Sequence, residues 1–140
     1  MCGSGNEPAT GQRERRLNDI IIVDDESEIL SVLTQLFESE GYAVRSYTDP
    51  RRALESARHT PPALALIDIM MPFLSGPDLI QLLRTEVDAQ LPIIAMSASI
   101  NYQQMRDLHI HDFFEKPFDL DDVLHRVETL VGAAHTHAPH

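Results

Sequence analysis

An α/β domain built on a doubly wound, five-stranded parallel sheet is predicted by three features of the sequence. Short apolar runs alternate strictly with amphipathic stretches, three of those runs are apolar on both faces, and each of the three closes on a polar residue. Strands buried on both faces belong in the middle of a sheet covered by helices on each side. Five βα units with right-handed crossovers follow.

The first run, Ile20 to Val23, closes on Asp24-Asp25. Ile29, Leu30, Val32, Leu33, Leu36 and Phe37 then recur at helical spacing up to Gly41, a natural C-terminal stop. Ala43 to Tyr47 is the second strand, and Asp49-Pro50 reads as an N-cap with proline in the first turn, opening a helix over Arg51 to Arg58. Leu64 to Ile67 closes on Asp68. Gly76-Pro77 precedes a third helix marked by Leu79, Ile80, Leu82, Leu83 and Val87. Ile93 to Met96 closes on Ser97, and a short, weakly apolar helix is predicted around Tyr102 to Leu108. Asp112 to Glu115 forms the last strand, followed by Lys116-Pro117. Asp119 then opens a strong fifth helix through Leu120, Val123, Leu124, Val127 and Leu130.

At 140 residues the chain suits one domain with a substantial core. Residues 1–18 mix Gly, Ser, Asn and Pro with Arg13-Glu14-Arg15-Arg16 and show no period, so they read as a flexible leader. The folded unit is expected over residues 19–131, and residues 132–140 read as a disordered tail whose His135, His137 and His140 are surface residues. A formal charge of -11 argues against a surface that neutralises nucleic acid or anionic lipid. Cys2 is the only cysteine, which excludes an intramolecular disulfide and a thiolate metal cage and fits a reducing cytoplasm. No signal segment or membrane-length apolar run is present.

In an open parallel sheet, ligands bind beyond the carboxyl ends of the strands. Asp24, Asp25, Asp68, Ser97 and Lys116, the one lysine beside ten arginines, all fall there. If the three carboxylates converge, each pair repels by about 4 kcal/mol at an effective dielectric near 20, so the cluster requires a cation or a proton. Oxygen ligands without Cys or His select a hard cation, and an incomplete carboxylate set that leaves room for water and a phosphoryl oxygen suits Mg²⁺. A carboxylate beside such an ion can attack phosphorus. Lys116 supplies a second positive charge and Ser97 a hydrogen-bond donor. Taken singly, each residue has an ordinary alternative: a solvated lysine, a turn-forming serine, and a helix cap at Asp25.

Ile22-Val23-Asp24-Asp25-Glu26, Leu66-Ile67-Asp68-Ile69-Met70-Met71-Pro72, Pro92-Ile93-Ile94-Ala95-Met96-Ser97-Ala98 and Phe114-Glu115-Lys116-Pro117-Phe118 together resemble the receiver domain of bacterial two-component response regulators. That resemblance implies the flavodoxin-like, CheY-like strand order 2-1-3-4-5. It implies that Asp68 accepts a phosphoryl group from the phosphohistidine of a sensor histidine kinase or histidine phosphotransfer protein. Asp25 is implied as a direct Mg²⁺ ligand, Asp24 as one acting through water, Asp68 as a third, and the backbone carbonyl of Met70 as a fourth. Ser97 is implied as the hydroxyl switch, Phe113 as its aromatic partner, and Lys116 as the phosphoryl-binding lysine, with a cis peptide to Pro117. The output implied is protein binding through the fourth helix, fifth strand and fifth helix, with homodimerisation as one form of it.

Three departures from the family pattern matter. Phe113 lacks a hydroxyl, so its movement depends on packing alone. The segment from Ser97 to Lys116 is short, which implies a truncated fourth helix. Met70 and Ser99 occupy positions that tune water access, and an apolar Met70 implies slow loss of the phosphoryl group. About ten residues follow the last helix pattern, so the chain reads as a stand-alone receiver or as the receiver of a longer regulator. It is read as no enzyme beyond its own phosphorylation and dephosphorylation. The alternatives are a phosphorylation-independent pseudo-receiver and an aspartyl-phosphate phosphohydrolase. The former usually loses an acidic residue or the lysine, and the latter carries a second Asp two residues after its nucleophile, where this chain has Met70.

Overall fold

The computed structural model describes residues 18–99 and 101–132. In chain order the elements are β1 (Asp19–Val23), α1 (Ser27–Ser39), β2 (Ala43–Tyr47), α2 (Pro50–His59), β3 (Leu64–Asp68), α3 (Gly76–Glu86), β4 (Ile93–Ser97), α4 (Tyr102–Asp107), β5 (Asp112–Glu115) and α5 (Leu120–Val131). All strand pairings are parallel, and the sheet order is β2-β1-β3-β4-β5, the order 2-1-3-4-5 that the resemblance implies. Of the leader and tail read over residues 1–18 and 132–140, residues 1–17 and 133–140 lie outside the described residues. At the margins, Asn18 donates to the Gly41 carbonyl and the Tyr42 hydroxyl donates to the Gly132 carbonyl.

The three doubly apolar runs are the three central strands, buried along their whole length, whereas β2 and β5 form the edges and are partly exposed. Their side chains alternate between two cores, as the period of a strand demands. Ile21, Val23, Ala65, Ile67, Ile93 and Ala95 pack beneath α2, α3 and α4. Ile20, Ile22, Leu64, Leu66, Ile94 and Met96 pack beneath α1 and α5. Two buried faces fix the sheet against slippage, because a shift of one residue would exchange the two sets.

The helix ends hold the loops that carry the site. α1 stops in a Schellman arrangement: Tyr42 N–H donates to the Phe37 carbonyl, Gly41 N–H donates to that of Glu38, and Gly41 has φ 98°. The Phe37 and Tyr42 rings meet edge to face at 5.8 Å and seal that end. Asp49 caps α2, Ser75 caps α3, Asn101 caps α4 and Asp119 caps α5, each accepting a hydrogen bond from a first-turn N–H. α4 has six residues and gives way to His109 at φ 56°, matching the truncation inferred from the short segment.

Candidate functional site

Because every strand runs the same way, the carboxyl ends of β1, β3, β4 and β5 lie along one edge of the sheet. Asp24 follows β1, Asp68 ends β3, Ser97 ends β4 and Lys116 follows β5. Asp24 and Asp68 are buried, whereas Asp25 is exposed. One carboxylate oxygen from each of the three lies within 4.8 Å of the other two. Asp25 does not cap α1; Glu26 occupies that position, without a side-chain cap bond.

The backbone fixes two of these carboxylates. Asp24 Oδ1 accepts from Glu26 N–H at 2.9 Å, and Asp68 Oδ1 accepts from Met70 N–H at 3.2 Å. The Met70 side chain stands in solvent at 62% exposure, so only its backbone adjoins the cluster. Beneath Asp68 the packing is close: a Cβ on Gly76 would lie 2.5 Å from Ile69 Cα and 2.6 Å from the Asp68 carbonyl oxygen, so only glycine lets α3 begin there.

Lys116 Nζ lies 2.8 Å from Asp24 Oδ2, 2.9 Å from Glu26 Oε1 and 3.5 Å from Asp68 Oδ2. Its peptide bond to Pro117 is cis. Burial opposes its charge, but its contacts with Asp24 and Glu26 outweigh that and raise its pKa above the ordinary lysine value. Asp68 moves the other way from most carboxylates. Burial first, then the charge of Asp24 and more weakly that of Asp25, push it up to about 7 against the Met70 N–H and Lys116.

Ser97 is fully buried, and its hydroxyl is engaged locally: Oγ donates to the Ser99 carbonyl at 2.6 Å and accepts from Ser99 N–H at 3.1 Å. In this state Ser97 is a turn-forming serine, and its hydroxyl serves the loop. Phe113 is half-buried on β5 and meets Tyr102, from α4, edge to face at 5.6 Å. The structure thus brings Asp24, Asp25, Asp68 and Lys116 together, while Ser97 bonds to Ser99 and Phe113 packs on Tyr102. Two participants have no sequence signal: no spacing rule links Glu26 to Lys116 or Tyr102 to Phe113.

The cluster fits a hard divalent cation. Its donors are all carboxylate oxygens. Asp24 Oδ2 is buried and accepts no hydrogen bond among the described residues, although the Lys116 ammonium lies 2.8 Å away. A buried anionic oxygen in that condition is a ready ligand.

Residues 20–128 match the family model described as the response regulator receiver domain. The response regulator GtcR of Aneurinibacillus migulanus is 37% identical over 119 residues, covering 82% of this chain and 48% of that protein. The chain therefore spans about half the length of that relative, and a similar share of the transcriptional regulatory protein PcoR of Escherichia coli, to which it is 32% identical over 122 residues, 85% of this chain and 54% of PcoR. Among solved structures, the receiver domain of a Francisella response regulator superposes with a TM-score of 0.76 at 26% identity, covering 81% of this chain and 96% of that one. The receiver domain of a Pseudomonas aeruginosa sensor histidine kinase, with a magnesium ion coordinated in its active-site cleft, gives a TM-score of 0.75 at 24% identity, covering 82% and 98%. With its fold, its strand-end cluster and its family match in agreement, the chain belongs to the response regulator receiver domain family.

Proposed function

We propose that this domain takes a phosphoryl group from a phosphohistidine onto Asp68, in a Mg²⁺-dependent reaction, and thereby switches a protein-binding surface. The observation that carries the reading is the convergence of three carboxylates on one ammonium at the strand ends, with Asp68 buried and held by the Met70 N–H. A carboxylate oxygen of Asp68 forms the new bond to phosphorus. The bond from phosphorus to the imidazole nitrogen breaks, and its electron pair stays on that nitrogen. The products are an acyl phosphate and a free histidine.

Asp24, Asp25, Asp68 and the Met70 carbonyl are the groups that would hold Mg²⁺. When bound, the ion offsets the carboxylate repulsion and the charge of the phosphoryl oxygens. Lys116 supplies a point charge to one phosphoryl oxygen. Ser97 donates to another, which requires its Oγ to leave Ser99. Releasing those two bonds alters the loop between β4 and α4, next to the Tyr102 and Phe113 rings. A population shift of α4, β5 and α5 is the output, for a downstream protein or a second copy of the chain.

The phosphohistidine donor is a sensor histidine kinase or a histidine phosphotransfer protein. An apolar groove of about 350 Å³, lined by Ile29, Val32, Leu33, Pro117, Phe118 and Leu120, opens beside Lys116 and suits the apolar face of a helix that presents the histidine. The net charge of -11 supports a protein partner over nucleic acid. The site of action proposed is the cytoplasm; among the described residues no helix is long and apolar enough to cross a membrane.

Incubation with Mg²⁺ and acetyl phosphate, read by intact mass, tests the proposal. A gain of one phosphoryl group that is lost in Asp68→Asn supports it. No gain in the wild type would leave a phosphorylation-independent module, and sustained turnover of phosphate esters would make the domain a phosphohydrolase.

A further inference from the structure

The third acidic residue of the Asp24-Asp25-Glu26 run contacts Lys116 without a role in the scheme above. Glu26 stands at the N-cap of α1, where a short polar side chain would ordinarily accept a hydrogen bond from the first turn. It makes no such bond. Its carboxylate reaches across to Lys116, 90 residues away in sequence, and Oε1 accepts from Nζ at 2.9 Å.

Three carboxylates surround that ammonium, and they are not equivalent. Asp24 Oδ2 is at 2.8 Å but accepts no hydrogen bond, and Asp68 Oδ2 is at 3.5 Å. Glu26 alone receives a proton in good geometry. It is also the exposed member, with its side chain 58% accessible against 0% for Asp24 and 4% for Asp68. A solvent-facing carboxylate can swing into water at little cost, whereas the two buried ones cannot. The contact is therefore the one that yields when another anion claims the lysine.

Resting on the reading of Asp68 as phosphoacceptor, we infer that Glu26 is a positioning residue that holds Lys116 in the unphosphorylated state and competes with the phosphoryl group for it. Two effects share one sign. Glu26 occupies a proton that a phosphoryl oxygen needs, and its negative charge repels the incoming anion. Removing it therefore favours the phosphorylated form. The same residue keeps the ammonium at the mouth of the site when no phosphoryl group is present.

The test uses Glu26→Gln, with Glu28→Gln as a control that removes the same charge two residues away from an exposed position on α1. Beryllofluoride with saturating Mg²⁺ stands in for the phosphoryl group, and its binding is followed by fluorine NMR. The expected result is a dissociation constant about three- to tenfold lower in Glu26→Gln and unchanged in Glu28→Gln. A second readout needs neither metal nor mimic. Because the chain has a single lysine, isotope labelling of lysine yields one ammonium signal. In metal-free protein that signal should shift and exchange faster with water in Glu26→Gln, and not in Glu28→Gln. Equal or weaker beryllofluoride binding by Glu26→Gln overturns the inference, and so does an equal effect of both variants. An unchanged lysine signal in Glu26→Gln overturns it as well. A wild type that binds no beryllofluoride would instead refute the phosphoacceptor reading, and the metal-free lysine signal would still report on the contact between Glu26 and Lys116.

Discussion

Asp68 is a carboxylate whose surroundings oppose its charge. Burial and the neighbouring Asp24 hold its pKa at about 7, well above the ordinary aspartate value of 3.8. A folded-state pKa raised in this way favours the protonated folded form. Its contribution to stability is complete below about pH 4 and is lost as pH rises through about 7. In metal-free protein, Asp68→Asn should match the wild type near pH 4 and exceed it above pH 7. The gain is about 1–3 kcal/mol, less than the full linkage value because the Asp25 side of the site is open to solvent. Thermal midpoints measured against pH in a chelator check this; a gap that fails to widen between those limits counts against a strained carboxylate cluster. The stored repulsion is what a cation, or a phosphoryl group held by a cation and Lys116, relieves.

At the scale of elements, two glycines do different work. Gly76 lets α3 start against the backbone of Asp68, and Gly41 supplies the positive φ that ends α1. Gly76→Ala forces α3 or the end of β3 to move, so it should cost about 2 kcal/mol and also depress phosphorylation by acetyl phosphate. Gly41→Ala should cost about 1 kcal/mol and leave phosphorylation at the wild-type level. Chemical denaturation together with a phosphorylation time course separates them; equal phosphorylation in the two variants would show that Gly76 does not position Asp68. Closeness in sequence decides which elements the sequence makes legible. The apolar runs of β1, β3 and β4 and the caps at Asp49 and Asp119 were readable because each depends on residues close in sequence. The edge strand β5 carries a weaker signal, since Asp112 to Glu115 is only partly buried.

Across the whole molecule, parallel topology makes the site. Residues from 24 to 116 meet because four strands end on one edge, and strand-end chemistry is therefore readable once the alternation is recognised. Side-chain direction at that edge is not readable. The Ser97 hydroxyl turns to Ser99, and Lys116 gives its hydrogen bond to Glu26 although Asp24 lies nearer, because angle as well as distance decides the partner. Tyr102, the first residue of the six-residue α4, meets Phe113 on the edge strand, a contact between residues that no local pattern links. The proposed function rests on the covalent chemistry of one side chain, Asp68. Reduction of the phosphorylated protein with borohydride converts an aspartyl phosphate to homoserine, and peptide mapping then locates it. Homoserine is expected at position 68 after treatment with acetyl phosphate and Mg²⁺, and none when Mg²⁺ is withheld. Homoserine at another carboxylate, or none at all in protein that carries phosphate, would contradict it.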